Sequence, residues 1–248
     1  MNLELLGLVI LFVSLGALIK GLAGFGFGIL GTALLANFIP AQDAVAVMIL
    51  PLLAVNIPLI LEAETSELRS CVENYSYFIL TGLTGSLIGI LLVDFLPVQI
   101  ISYLVGFVAV LYVYSRQDLV PRPENLISKC FTKKWYNQSL IGGVSGISFG
   151  STGIGLPFVT YLERLEVDRN TFVGLLSFLI LSATMIRASV SYITGLYSIQ
   201  LIEISVIASV FGLVITESTS KFRSIVPGKM LENLMLALIL LAGIRILV

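Results

Sequence analysis

The chain has no histidine, only two cysteines and few charges, and each scarcity excludes something. Without histidine the commonest metal ligand and the commonest general base are gone, which argues against most metal-dependent membrane enzymes. The cysteines, Cys71 and Cys130, stand far apart in polar connections and form no CxxC pair, so a disulfide has no local signature. Charged residues make up 12% of the chain, against about 25% in an ordinary soluble domain. Too few polar side chains are available to cover a water-soluble fold. The net charge of −1 leaves no basic field for nucleic acid. No P-loop or HExxH occurs, and no nucleophile elbow is read. With no ATP site, any transport is secondary or passive. No cofactor or metal is called for, and the chain reads as a non-enzyme.

Apolar residues dominate instead. They account for 57% of the 248 residues, and the mean hydropathy is +1.04. An all-α integral membrane protein follows. Eight helices of ~20 residues would take up about two-thirds of the length. The apolar runs fall near 3–38, 43–62, 74–93, 97–115, 138–162, 170–190, 199–217 and 229–247. The N-terminus lacks a basic leader and an Ala-x-Ala site, so the first run reads as a retained helix. Pro40, Pro97 and Pro227 lie at junctions, where a missing donor costs least. Pro51 and Pro58 lie inside the second run and predict a kink or unwinding there.

The most informative feature is a glycine cluster that occurs twice. Gly21-Leu-Ala-Gly24-Phe-Gly26-Phe27-Gly28-Ile-Leu-Gly31 recurs as Gly143-Val-Ser-Gly146-Ile-Ser148-Phe149-Gly150-Ser-Thr-Gly153, at a constant offset of 122 residues. A weaker match follows at an offset of 127, with Asp43 against Asn170 as N-caps of the next run. The chain thus divides into a first half, 1–115, a linker, 116–137, and a second half, 138–248. Each half holds four helices, and the first helix of each is broken at its glycine-rich run. The linker carries Arg116, Arg122, Lys129, Lys133 and Lys134, which favours a cytoplasmic location. Leu126 to Trp135 is apolar enough for the lipid interface, and Trp135 and Tyr136 suit the headgroup level.

Glycine-interrupted spans in corresponding positions of two halves point to a transporter binding site. Amides freed at a half-helix N-terminus carry partial positive charge and hold anions. The competing reading is close helix packing through small residues, and Gly24-x3-Gly28 and Gly146-x3-Gly150 fit that spacing too. Lys20 adjoins the first cluster, where it either holds an anion or snorkels to the interface. Asn56 lies between Pro51 and Pro58. Ser148, Ser151 and Thr152 crowd the second cluster, and Arg187, toward the end of the sixth run, either faces an aqueous cavity or ends the helix. The candidate substrate-binding set is therefore Lys20, Gly24, Gly26, Gly28, Asn56, Gly146, Ser148, Gly150, Ser151, Thr152 and Arg187. Glu203, early in the seventh run, is the candidate for proton coupling, because a carboxylate within a membrane span is functional by default. Glu62, Glu64, Glu67, Arg69 and Glu73 read as a solvated acidic connection.

These two halves, each opening with a long apolar segment through a glycine-rich run and with Pro157 after the second, resemble the sulfite exporter TauE/SafE family. The resemblance implies a multi-pass permease of the cell (inner) membrane for small sulfur-containing anions such as sulfite or organosulfonates, with protons as a possible coupling ion. Two other classes remain open at this stage. One is a membrane enzyme acting on lipid phosphates, which would need carboxylates and arginines gathered at one membrane face. The other is a non-transporting scaffold subunit, which would have little use for two matched clusters.

Overall fold

The computed structural model describes residues 3–62, 65–116, 134–163, 169–222 and 228–247. Most of the expected linker (117–133, with Cys130), Glu64, Arg223 and Pro227 lie outside the described residues, and with them the side of the membrane assigned to the linker. Within the described residues everything regular is helical.

The helices run in order α1 Leu3–Ala23, α2 Phe27–Leu35, α3 Ala41–Val47, α4 Ile49–Leu61, α5 Thr65–Asn74, α6 Ser76–Phe95 and α7 Val98–Arg116. They continue as α8 Trp135–Thr152, α9 Leu156–Leu162, α10 Arg169–Ile193, α11 Ile199–Ser220 and α12 Gly228–Leu247. Five stretches are long and apolar enough to cross a membrane: Glu4–Ala23, Ala41–Leu61, Ser76–Val93, Asn170–Ile193 and Ile199–Ser220. Val98–Tyr114 and Asn233–Ile246 are shorter apolar helices. The connection expected to be a solvated acidic loop contains a polar helix, α5, with Arg69 paired to Glu73 one turn on.

Two short helices double back. The chain leaves α1 at Gly24, and the Phe27 backbone returns to Gly16, about two turns before α1 ends. Likewise Phe158 of α9 packs on Phe149 of α8, with ring centroids 6.0 Å apart. Nine and seven residues make helices of roughly 14 and 10 Å, far short of a crossing of ~30 Å.

The second apolar run is interrupted at Met48, between α3 and α4. Pro51 explains part of this, since it cannot donate to the Val47 carbonyl four residues back. Ser205 Oγ donates to that carbonyl instead, at 2.6 Å. Asp43 is not the cap of α3: Pro40 holds that position and Asp43 sits in the first turn, where an acid still favours the helix dipole. Asn170 similarly falls inside α10, one residue after its start.

The broadest helix contact is between α6 and α8. There the glycines of α8 meet backbone: a Cβ on Gly146 would overlap the Gly82 carbonyl, and one on Gly150 the Ser86 carbonyl. α1 packs on α11, α12 on α7, and α4 on both α10 and α11. Buried apolar residues form two clusters, one around Phe27, Phe78, Phe149 and Phe158, the other around Leu30, Ile101, Tyr112 and Ile239. The outer surface remains apolar, with Leu80, Phe107, Val210 and Leu241 exposed. In a chain that crosses a bilayer these are the side chains that face lipid.

Candidate functional site

The two helix interruptions meet inside the molecule. At the first, Gly24 and Gly26 take φ of 92° and 96°, a region that glycine enters freely and other residues do not. At the second, Gly153 takes φ 73° and Gly155 opens α9. A Cβ on Gly28 would lie 2.8 Å from the Gly153 carbonyl, so the backbones of the two interruptions are in direct contact. The sequence match pairs Gly24 with Gly146, but the structure breaks the second helix at Gly153–Gly155, a heptad later. A heptad is about two turns, so a small-residue face matches itself again at that shift.

A cavity opens between the interruptions. It gives a water-sized sphere about 20 Å³ in which to move, and its walls include Lys20, Gly26–Ile29, Phe149, Gly153 and Gly155. Room of this size admits a small polar species. The N-terminus of α2 borders it, with Gly26 as cap and no side chain capping the helix. The first-turn amides of such a helix have no partner within it and carry its positive end.

Lys20 is buried, 1% exposed, in the last turn of α1. Its ammonium donates to Asn56 Oδ1 at 2.8 Å, and Asn56 Nδ2 donates to the Leu52 carbonyl at 2.6 Å. Lys20 therefore does not snorkel. Its side chain turns inward along the cavity, with Asn56 fixing its direction. A buried ammonium is costly unless hydrogen-bonded and balanced by negative charge. Among the described residues the buried charged side chains are Lys20 and Arg187, both cationic.

Arg187 is fully buried on α10. Its Nη2 donates to the Val45 carbonyl at 3.3 Å, at the interruption between α3 and α4. Its guanidinium lies 5.1 Å from the centroid of the Phe149 ring. It is not a helix-end residue, because α10 continues to Ile193. Arg187 is absent from the cavity wall and stands behind Phe149 and Gly153.

The other expected residues divide. Gly26 and Gly28 line the cavity, and Gly24 lies against Val173 beside it. Gly146 and Gly150, expected at the second break, are helical and pack α8 against α6. For these two, close packing through small residues is what the structure shows. Ser151 Oγ donates to the Ile147 carbonyl at 2.8 Å and Thr152 Oγ1 to the Ser148 carbonyl at 2.7 Å. Thr152 Oγ1 also accepts from the Ile154 amide at 3.1 Å, which satisfies a backbone group that the interruption frees. Ser148 is half-buried on α8, away from the cavity wall. Glu203 is exposed on α11 and does not reach the cavity.

Gly146-Ile-Ser148-Phe-Gly150 has the G-x-S-x-G spacing of a nucleophile elbow. An elbow requires a strand-to-helix turn and a histidine partner. This segment lies mid-helix in a chain without histidine, so the match is coincidental.

Thr32 escaped the sequence reading. It is fully buried in α2 and its hydroxyl has no hydrogen-bond partner. Its one signal was being the only hydroxyl in Phe27–Leu35.

The family model described as "Sulfite exporter TauE/SafE" matches residues 8–246. Searches of curated proteins and of solved structures returned no match. With the match spanning nearly the whole chain, and with apolar helices long enough to cross a bilayer, this multi-pass membrane transporter belongs to the sulfite exporter TauE/SafE family.

Proposed function

We propose that the protein is a secondary transporter of small sulfur-containing anions, such as sulfite or organosulfonates, working by alternating access around the cavity between the two helix interruptions. The observation that carries this reading is Lys20. It is a buried cation, aimed by Asn56, on the wall of a cavity bordered by the uncapped N-terminus of α2. A point charge and a helix N-terminus together favour a compact anion.

In this reading the chain forms two halves of four crossings each: α1, α3–α4, α6 and α7, then α8, α10, α11 and α12. Each half opens with a helix followed by a short one that doubles back. Glycines bring α6 and α8 together backbone to backbone, so in this reading that seam is where the halves slide, while the larger side chains between the other helices repack. Residues 116–137 would link the halves on the cytoplasmic side of the cell membrane. Protons remain the proposed coupling ion, without Glu203 as carrier, since Glu203 faces outward.

The test is flux of radiolabelled sulfite into proteoliposomes. Wild-type protein should carry it, and Lys20→Met should lose it while retaining its helicity and its elution volume. Equal flux in wild type and Lys20→Met would remove the cavity from the mechanism.

A further inference from the structure

The groups behind the cavity wall remain unexplained by a single site. Arg187 has Nε and Nη1 without a partner among the described residues, and Thr32 Oγ1 is likewise unpartnered. Both side chains are fully buried. They converge on one point: a methyl built on Gly153 would lie 3.3 Å from both terminal nitrogens of Arg187 and 3.4 Å from Thr32 Oγ1. Among the described residues the one salt bridge is Arg69–Glu73, at the surface, so no carboxylate there offsets the guanidinium. The Phe149 ring and the Val45 carbonyl hold it in place, but neither supplies a negative charge. Buried unpaired ions and unpaired donors are both expensive, and an ion or a water that completes them accounts for their being kept.

We propose that Arg187 and Thr32 form a second anion station, reached from the Lys20 cavity past Gly153. This rests on the transport reading above and deepens it. The ligand class is a small oxyanion with several acceptor oxygens: the arginine turns its terminal nitrogens toward Gly153, Nη1 being without a partner, and the threonine adds a hydroxyl. Gly153 is the partition. It lines the cavity, and a side chain on it would point at Arg187 and Thr32. With no side chain and a left-handed φ, it is the thinnest wall the chain can build. Two cationic stations in series let an anion pass the midplane in two short steps, with a basic or polar group to receive it at each.

The test is equilibrium binding of radiolabelled sulfite to the purified full-length protein in detergent. Wild type should bind two ions per chain at saturation. Lys20→Met should bind one, and Thr32→Val and Arg187→Gln should each bind one. Thr32→Val is nearly isosteric, so it answers the question if Arg187→Gln fails to fold. One ion per chain in wild type, lost in Lys20→Met and kept with unchanged affinity in Thr32→Val and Arg187→Gln, overturns the second station and leaves the transport reading standing. No binding to wild type in any arm counts against both.

Discussion

The two helix interruptions look alike in sequence and differ in construction. The first uses Gly24 and Gly26 in left-handed conformations, with no hydroxyl nearby in the chain, and places Lys20 one turn ahead. The second uses Gly153, is braced by the Thr152 hydroxyl on the Ile154 amide, and has no charge of its own, taking Arg187 from another helix. Equal glycine patterns therefore serve unequal jobs. In the first half Gly24 and Gly26 make the break. In the second, Gly146 and Gly150 are spent on packing, and the break is deferred to Gly153. Close approach of α8 to α6 leaves those two glycines no freedom to unwind.

That difference predicts a ranking. Gly146→Leu should have the largest effect, on folding: it drives a branched side chain into the Gly82 carbonyl of α6, and overpacking of this kind costs about 1–3 kcal/mol or more. Thermal unfolding should shift strongly downward, and sulfite affinity of the folded fraction should not change. Lys20→Met should do the reverse, keeping the fold and weakening sulfite binding on the order of 10- to 100-fold, the range for a charge-assisted hydrogen bond. A folded Gly146→Leu that has lost binding would erase the distinction drawn between the clusters.

Alanine at the interruptions sharpens the comparison further. Gly24→Ala and Gly153→Ala each place a Cβ in the left-handed region, at a cost of about 1–2 kcal/mol. At Gly24 the new atom also overlaps Val173, a stiff β-branched neighbour, whereas at Gly153 it meets the ends of Arg187 and Thr32 at 3.3–3.4 Å. Gly24→Ala should therefore be the less stable of the two by denaturation. Thr152→Val removes the brace on Ile154 and should cost about 1 kcal/mol, seen as faster amide exchange around residues 153–155. Glu203→Gln should be smallest. An exposed residue outside the cavity should leave flux within about twofold.

Composition alone made the membrane class and the helical runs legible, because a chain this apolar has no soluble alternative. Lys20 and Asn56 were both visible as polar residues in weakened spans, but their pairing across 36 positions was not. The location of the second break was misread because glycine identity marks a small-residue face, and such a face recurs every two turns. Whether it unwinds depends on what packs against it, which here is α6. Arg187 read as a helix end because a long helix with an arginine near its C-terminal third has that pattern in sequence. Its Val45 and Phe149 contacts come from distant segments. Thr32 carried almost no signal, since a lone hydroxyl on a buried helix ordinarily bonds its own backbone.

The central claim is that both interruptions build one anion cavity at Lys20. Crystals soaked with selenite, an anomalous scatterer close to sulfite in shape and charge, test it most directly. The account predicts an anomalous peak enclosed by Lys20, the first turn of α2 and Gly153–Gly155. A peak at the protein surface alone, in protein that still transports sulfite, would contradict it.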